Sequence, residues 1–382
     1  MGTSDQSPNS GLGRTSAPGK ATPADARPRN RTLLLQALHA DGPQSRADLA
    51  RMSGLTPTTV SAVTAELVAD GLISEFGRKA STSAGKPATL LGVEPDARHV
   101  IAFDLSDDDV IEAAVINLAG KIVSRRTQPR NGETGKKATA SIVRLAKDMA
   151  KSLERPLLGI GVATPGIVDD NGVVLTAAHV QWNDEPLAAK LAAALDVPSY
   201  VANDANAAVL AEHSALGVGT DNLLLVRVGG GVGAGVVIGG ELFVGDHFAA
   251  GEIGHVVVDD EGAVCRCGRR GCLEAVVSAP LLAQRMQGLT DAERANSLEL
   301  AGRHLGIALA TLVGALNLSE IVLSGPMDLL DDRFRLAALE TIRNRTFPPL
   351  AEHVTARFSS LGDDGVLLGA AALVLRNELG IV

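Results

Sequence analysis

Leu223-Leu224-Leu225-Val226-Arg227-Val228-Gly229-Gly230-Gly231-Val232-Gly233-Ala234-Gly235-Val236-Val237-Ile238-Gly239-Gly240 is the stretch on which the fold turns. Leu223–Val228 and Ala234–Ile238 are short apolar runs bounded by glycines, and Gly239-Gly240 turns the chain into a third run, Leu242–Val244. Runs of this length between turn residues read as buried strands. The same opening occurs earlier, as Val100–Leu105, Val110–Asn117 and Ile122–Arg126, with a turn at Ala119-Gly120. A helix around Thr134–Leu153 and a strand at Leu158–Val162 follow the first triplet. A helix around Ser297–Leu316 and a strand at Ile321–Leu323 follow the second. Two such units in tandem predict an α/β domain of two similar lobes, and a cleft between lobes is where a small ligand binds.

The chain ahead of this domain has a different pattern. Residues 1–28 are low in complexity and read as a disordered arm. Leu33, Leu34, Leu35 and Leu38 then give a helix an apolar face that ends before Asp41-Gly42-Pro43. Ser45 can cap a short second helix with Asp48 in its first turn, and Gly54 breaks it. Thr56-Pro57 opens a third helix whose buried stripe is Val60, Val63, Leu67 and Val68. Its other face shows Thr58, Thr59, Ser61, Ala62 and Thr64, short side chains able to approach base edges or phosphates, with Glu66 the one charge. Leu72–Phe76 and Thr89–Val93 read as strands around a basic loop with Arg78, Lys79 and Lys86. Residues 29–93 therefore predict a winged helix-turn-helix that meets double-stranded DNA through Thr56, the third helix and the wing. A helical dimerisation or adaptor module is the alternative.

Charge fits contact with nucleic acid at one end only. Residues 1–91 carry ten Lys or Arg against seven Asp or Glu, a balance of +3, which leaves −12 on the rest of a chain of net charge −9. A hydrophobic fraction of 46% supports a sizeable core, and with aromatics at 2% Val, Leu, Ile and Ala must fill it. No stretch supplies the roughly 20 uninterrupted apolar residues of a membrane span. The Ser/Pro/Gly-rich start has no apolar segment like that of a signal peptide. A cytoplasmic location without membrane contact is the expectation. All three cysteines fall within eight residues, unlike a secreted disulfide framework. With His255, Cys265, Cys267 and Cys272 compose a Cys3His set, a standard closed tetrahedral site for structural zinc; three reduced, unliganded cysteines are the alternative.

Four segments make the pattern specific: Gly159-Ile160-Gly161-Val162-Ala163-Thr164-Pro165-Gly166, Asn203-Asp204-Ala205-Asn206-Ala207-Ala208, Gly251-Glu252-Ile253-Gly254-His255, and Cys265-Arg266-Cys267-Gly268-Arg269-Arg270-Gly271-Cys272-Leu273-Glu274. In these segments residues 98–382 resemble the ROK family of repressors, sugar kinases and related proteins. The resemblance implies the actin-like, or ribonuclease H-like, sugar-kinase fold. It places sugar contacts at Gly166, Asn203, Asp204, Glu252, His255 and Glu274, with zinc shaping the pocket and His255 serving both ion and sugar. Asp204 falls at the general-base position of the family's kinases, and Asn203-Asp204 also reads as a helix cap.

Family kinases open their first lobe with Asp-x-Gly-Gly-Thr. Here Asp104-Leu105-Ser106-Asp107-Asp108-Asp109 stands instead, and three carboxylates occupy the place of a polyanion. Gly229–Gly233 persists without the usual threonine. ATP and Mg2+ are therefore not expected as cofactors. The resulting expectation is a sugar-responsive DNA-binding regulator, by analogy a repressor of carbohydrate genes. It would act as a homodimer or dimer of dimers on a pseudo-palindromic operator. An ATP-dependent hexose or N-acetylhexosamine kinase with a DNA-binding appendage is the competing reading.

Overall fold

A computed structural model describes residues 23–78, 88–216 and 221–381. The first unit runs α1 (Pro23–Ala40), β1 (Gln44–Ser45), α2 (Arg46–Ser53), α3 (Pro57–Ala69), β2 (Ile73–Arg78) and β3 (Thr89–Val93), with β3 pairing antiparallel to both β1 and β2. Ser45 caps α2 by accepting from the Asp48 N–H, and Thr56 caps α3 by accepting from the Thr59 N–H, with Pro57 in the first turn. One boundary needs correction. Helix α1 starts at Pro23, so residues 23–28 of the expected arm are helical, while residues 1–22 lie outside the described residues. The extension carries Arg27, whose Nη2 lies 2.6 Å from Glu66 Oε1, and Arg31 follows with Asp70 Oδ2 at 2.7 Å. These pairs tie the start of α1 to α3 beyond the leucine stripe.

The first lobe contains β4 (His99–Asp104), β5 (Val110–Asn117), β6 (Ile122–Pro129), α4 (Gly135–Lys151) and β7 (Leu157–Thr164). Short strands β8 (Ile167–Val168), β9 (Val174–Ala177) and β10 (Trp182–Glu185) form a small antiparallel sheet, before α5 (Leu187–Leu195) and β11 (Ser199–Asn203). Helix α6 (Asp204–Leu216) leads to the second lobe. That lobe holds β12 (Leu223–Val228), β13 (Val232–Ile238), β14 (Glu241–Leu242), α7 (Glu274–Val277), α8 (Ala279–Met286), α9 (Asp291–Leu316), β15 (Glu320–Ser324), α10 (Asp332–Arg345), α11 (Pro348–Ala351) and β16 (Thr355–Phe358). The main sheets are ordered β11-β7-β4-β5-β6 and β16-β15-β12-β13-β14. In each, three antiparallel strands continue into two parallel ones, so the duplication read from the sequence is real. Helix α9 is long and apolar enough to cross a membrane by length and composition, and the lobe uses its Leu305, Leu309 and Val313 as core.

The last helix, α12 (Gly365–Leu379), returns to the first lobe and packs on β7 and α6. Contact there is backbone to backbone: a Cβ added at Gly369 would lie 1.9 Å from the Ala207 carbonyl oxygen, and one at Gly161 would lie 1.8 Å from that of Ala370. Beyond α12, Ile381 is fully buried, and Gln36 Nε2 of α1 donates to the Gly380 carbonyl at 2.7 Å. One cluster of apolar side chains thus runs from Leu34 and Leu38 of the winged helix through Val374 and Leu375 to Ala102 of the first sheet. Helix α6 is tied to the second lobe by buried Glu212, whose carboxylate accepts from Arg357 Nη1 at 2.5 Å and from Ser359 Oγ at 2.7 Å.

Two glycine substitutions test this packing. Gly369→Ala is expected to destabilise the protein by about 1–3 kcal/mol, because a methyl there meets main chain that cannot turn aside. Gly314→Ala on α9, where an added methyl meets nothing within 4 Å, is expected to stabilise by roughly 0.5–1 kcal/mol. Thermal or urea unfolding measures both, and equal effects would contradict the described packing.

Candidate functional site

The interlobe cleft, about 420 Å³, is lined by all six residues of the expected sugar set: Gly166, Asn203, Asp204, Glu252, His255 and Glu274. Strand β11 delivers Asn203 to the cleft, and α6 begins with Asp204. Asn203 Oδ1 accepts from the N–H groups of Ala205 and Asn206, so it does cap α6, while its Nδ2 donates to the Gly166 carbonyl at 3.0 Å. Cap and cleft residue are therefore one side chain. Glu252 and Glu274 face the cleft from the second lobe. Burial raises the Glu252 carboxyl above its ordinary value; His255 opposes this, and Asp204 and Glu274 add to it. Such clustered acceptors suit a ligand rich in hydroxyl donors.

Three cleft residues were not singled out in the sequence. Arg227, the only charge in β12, donates through Nη1 to Asp204 Oδ2 at 3.0 Å. Arg266 reaches the Gly230 carbonyl at 3.2 Å and Glu274 Oε1 at 3.4 Å from the exposed lip. His179, on the turn between β9 and β10, lines the wall with a buried Nε2 that has no hydrogen-bond partner among the described residues, and burial lowers its pKa. A charge inside the run Leu223–Val228 was the available signal for Arg227. His179 had none, because its turn lies far from every quoted motif.

A second hollow adjoins the cleft. Its lining includes Asp104, Asp107, Asp108, Asp109, Glu112 and Asp363, with Arg227 the only basic residue among the described residues that line it. The loop after β4 bonds to itself. Asp104 Oδ1 accepts from the Ser106 N–H at 2.8 Å, and Asp107 Oδ1 accepts from the N–H groups of Asp109 and Val110 at 2.7 and 3.1 Å. Beneath it Arg130, 3% exposed, donates to the Leu105 carbonyl at 2.8 Å. Burial lowers the pKa of Arg130, and the carboxylates of Asp108, Asp107, Asp104 and Asp109 counter that shift.

Next to the cleft, the His255, Cys265, Cys267 and Cys272 donor atoms all lie within 4.8 Å of one another. His255 Nδ1 is 3.7 Å from Cys265 Sγ, and Cys267 Sγ is 3.7 Å from Cys272 Sγ. Ligands of a tetrahedral ion with bonds of about 2.0–2.3 Å stand about 3.5–3.8 Å apart, so the set fits a metal. Gly271 makes the knuckle possible: its φ is +74°, and a Cβ there would lie 1.6 Å from the Asp259 carbonyl oxygen.

On the winged helix, Thr58, Ser61 and Ala62 are exposed on α3, and Thr59 is half-buried. Thr56 Oγ1 and Thr59 Oγ1 are hydrogen-bonded at 2.9 Å. Thr64 is corrected. It is fully buried, its hydroxyl donates to the Val60 carbonyl and accepts from Arg46 Nε at 3.2 Å, and it cannot meet DNA. Positions 60, 64 and 67 share one helical stripe, which places Thr64 inside. Arg78 closes β2, whereas Lys79 and Lys86 lie outside the described residues.

Residues 102–377 match the ROK family, and residues 28–74 match a winged helix-turn-helix DNA-binding family. The transcriptional dual regulator NagC of Escherichia coli K12 is 30% identical, over 92% of this chain and 93% of its own. The xylose repressor of Bacillus subtilis 168 is 27% identical, over 92% of this chain and 96% of its own. A ROK family transcriptional regulator homologous to the E. coli Mlc protein shares the fold with a TM-score of 0.80 at 23% identity, covering 93% of this chain and 97% of its own. A ROK family glucokinase of Streptomyces griseus, solved with glucose and AMPPNP, superposes with a TM-score of 0.62 at 24% identity, over 72% of this chain and 98% of its own.

Native mass spectrometry is expected to find one metal ion per chain and to lose it in Cys272→Ser. Full metal retention in that variant would contradict the four-ligand site.

Proposed function

The chain belongs to the ROK family, and from that premise we propose that it is a sugar-responsive transcriptional repressor that binds an operator through its winged helix. The observation that carries this is the coexistence in one chain of an exposed recognition helix and a hydroxyl-reading cleft, joined by α12. Relatives of nearly equal length, named as a xylose repressor and as the regulator NagC, support the same reading. The effector is a sugar or simple sugar derivative, and the Cys3His knuckle holds structural zinc that braces the loop carrying His255. A pseudo-palindromic operator would suit a homodimer or dimer of dimers acting in the cytoplasm, with wing residues Arg78, Lys79 and Lys86 near the phosphates.

The docking of the winged helix supports a mechanism. Its α1 rests on Gly380 and Ile381, so the DNA-binding unit moves with α12 and the first lobe. Helix α6 starts at the sugar contacts and is held to the second lobe through Glu212 and Arg357. Closure of the lobes on a sugar would therefore move α6 together with the α12 seated on it and reorient the winged helices of two subunits. A differential affinity of about 1–3 kcal/mol between the two arrangements suffices for release from DNA.

The kinase alternative is weakened by the hollow where a nucleotide would sit. Amides that could meet phosphate are already bonded to Asp104 and Asp107, and the surrounding carboxylates repel a polyanion. Asp204, at the base position, is already paired with Arg227.

Fluorescence anisotropy with the selected operator tests the coupling. The sugar is expected to weaken operator binding about 5–150-fold in the unmodified protein. Ile381→Asp is expected to bring that factor close to one while sugar binding survives; undiminished coupling would exclude the α12 route. Arg46→Ala, which removes a guanidinium propped on Thr64 at the start of α2, is expected to weaken binding evenly across DNA sequences. It should also reduce the log–log salt slope by about 1, and an unchanged slope would exclude a phosphate contact.

A further inference from the structure

Arg227 and Asp204 come from opposite sides of the cleft floor. Asp204 opens α6 directly after the last strand of the first lobe, and Arg227 sits in the central strand of the second. Their side chains are 19% and 11% exposed, so the pair is shielded from water more than any rim contact. Arg227 lines the sugar cleft and the acidic hollow alike, so it stands at their junction. The chain leaves space for it: a Cβ on Gly229 would lie 2.6 Å from Arg227 Nη1. Asp104, at the end of β4, shares this floor. Burial raises its carboxyl above the ordinary value, Arg227 opposes that shift, and the Asp204 carboxylate reinforces it. Two carboxylates near one another repel unless a cation stands between them.

We propose that Arg227 is the positioning residue of the effector site, holding the Asp204 carboxylate in place to accept a sugar hydroxyl and tying the lobes together where a nucleotide phosphate would otherwise bridge them. The site then needs no nucleotide to complete it, because the chain supplies the missing counter-charge itself. Asp204 gains a fixed acceptor geometry, and hydrogen bonds to a carboxylate are stronger than those between neutral groups. Arg227 acts through Asp204 and not on the sugar itself. The inference rests on the sugar-responsive reading of the cleft.

The test is calorimetric titration of the full-length protein with D-xylose and with N-acetyl-D-glucosamine, using the unmodified chain, Arg227→Met, Arg227→Lys, Asp204→Asn and the double variant Arg227→Met/Asp204→Asn. Amide hydrogen exchange without sugar is measured on the same samples. Arg227→Met is expected to bind the sugar about tenfold more weakly, with partial rescue by Lys. The double variant is expected to be no weaker than Asp204→Asn alone, which marks the two residues as one unit. Exchange of the amides at 204–208 should quicken in Arg227→Met even without sugar. Unchanged sugar affinity in Arg227→Met, additive losses in the double variant, or unaltered exchange at 204–208 would overturn the proposal. Failure of the unmodified protein to bind either sugar counts against those two effectors and not against Arg227, whose tie between the lobes the exchange measurement then decides alone.

Discussion

The close approach of α12 to α6 and β7 is the constraint on which the rest of the structure depends. At Gly369 and Gly161 the main chains meet with no room for a methyl group, so α12 has one seat on the first lobe. Packed cores change between discrete arrangements and do not deform smoothly. A helix seated this way carries displacement along its length. Just past its far end Gln36 of α1 donates to the Gly380 carbonyl, and its near neighbour α6 begins at Asp204. One continuous apolar cluster runs from α3 through α12 to the sheet of the first lobe.

The cleft and the hollow beside it bring together two sets of residues with different chemistry. One half is lined by Asn203, Asp204, Glu252, His255 and Glu274 together. Its other half has turned inward: Asp104 and Asp107 bond to their own loop, and Arg130 supports that loop from below. A phosphate arriving there would have to displace bonds already made, among charges of its own sign.

Legibility in the sequence followed how local each feature is. The Cys/His cluster, whose donor atoms the structure brings together, could be read because its chemistry is carried by three cysteines within eight residues and one nearby histidine. The duplicated strands could be read because apolar runs and Gly-rich turns are short-range signals, and Val110–Asn117 and Leu223–Val228 keep the same bounds in the structure. Thr64 could not be placed by polarity, since the hydroxyl is satisfied within α3 and by Arg46, which only tertiary packing brings near. The early part of α1 makes ion pairs with Glu66 and Asp70, each 39 residues away, that composition does not announce. Arg227 was hidden for the opposite reason: an apolar strand around a lone charge gives no hint of the carboxylate it will meet.

Sequencing the DNA retained by purified full-length protein, in the absence and presence of D-xylose or N-acetyl-D-glucosamine, tests the central claim most directly. A coupled repressor recovers a pseudo-palindromic site with half-sites spaced by whole helical turns, and one of the sugars depletes that site from the retained pool. Retention of DNA without sequence preference, or of the same site at undiminished levels whichever sugar is present, would contradict a cleft that governs the winged helix.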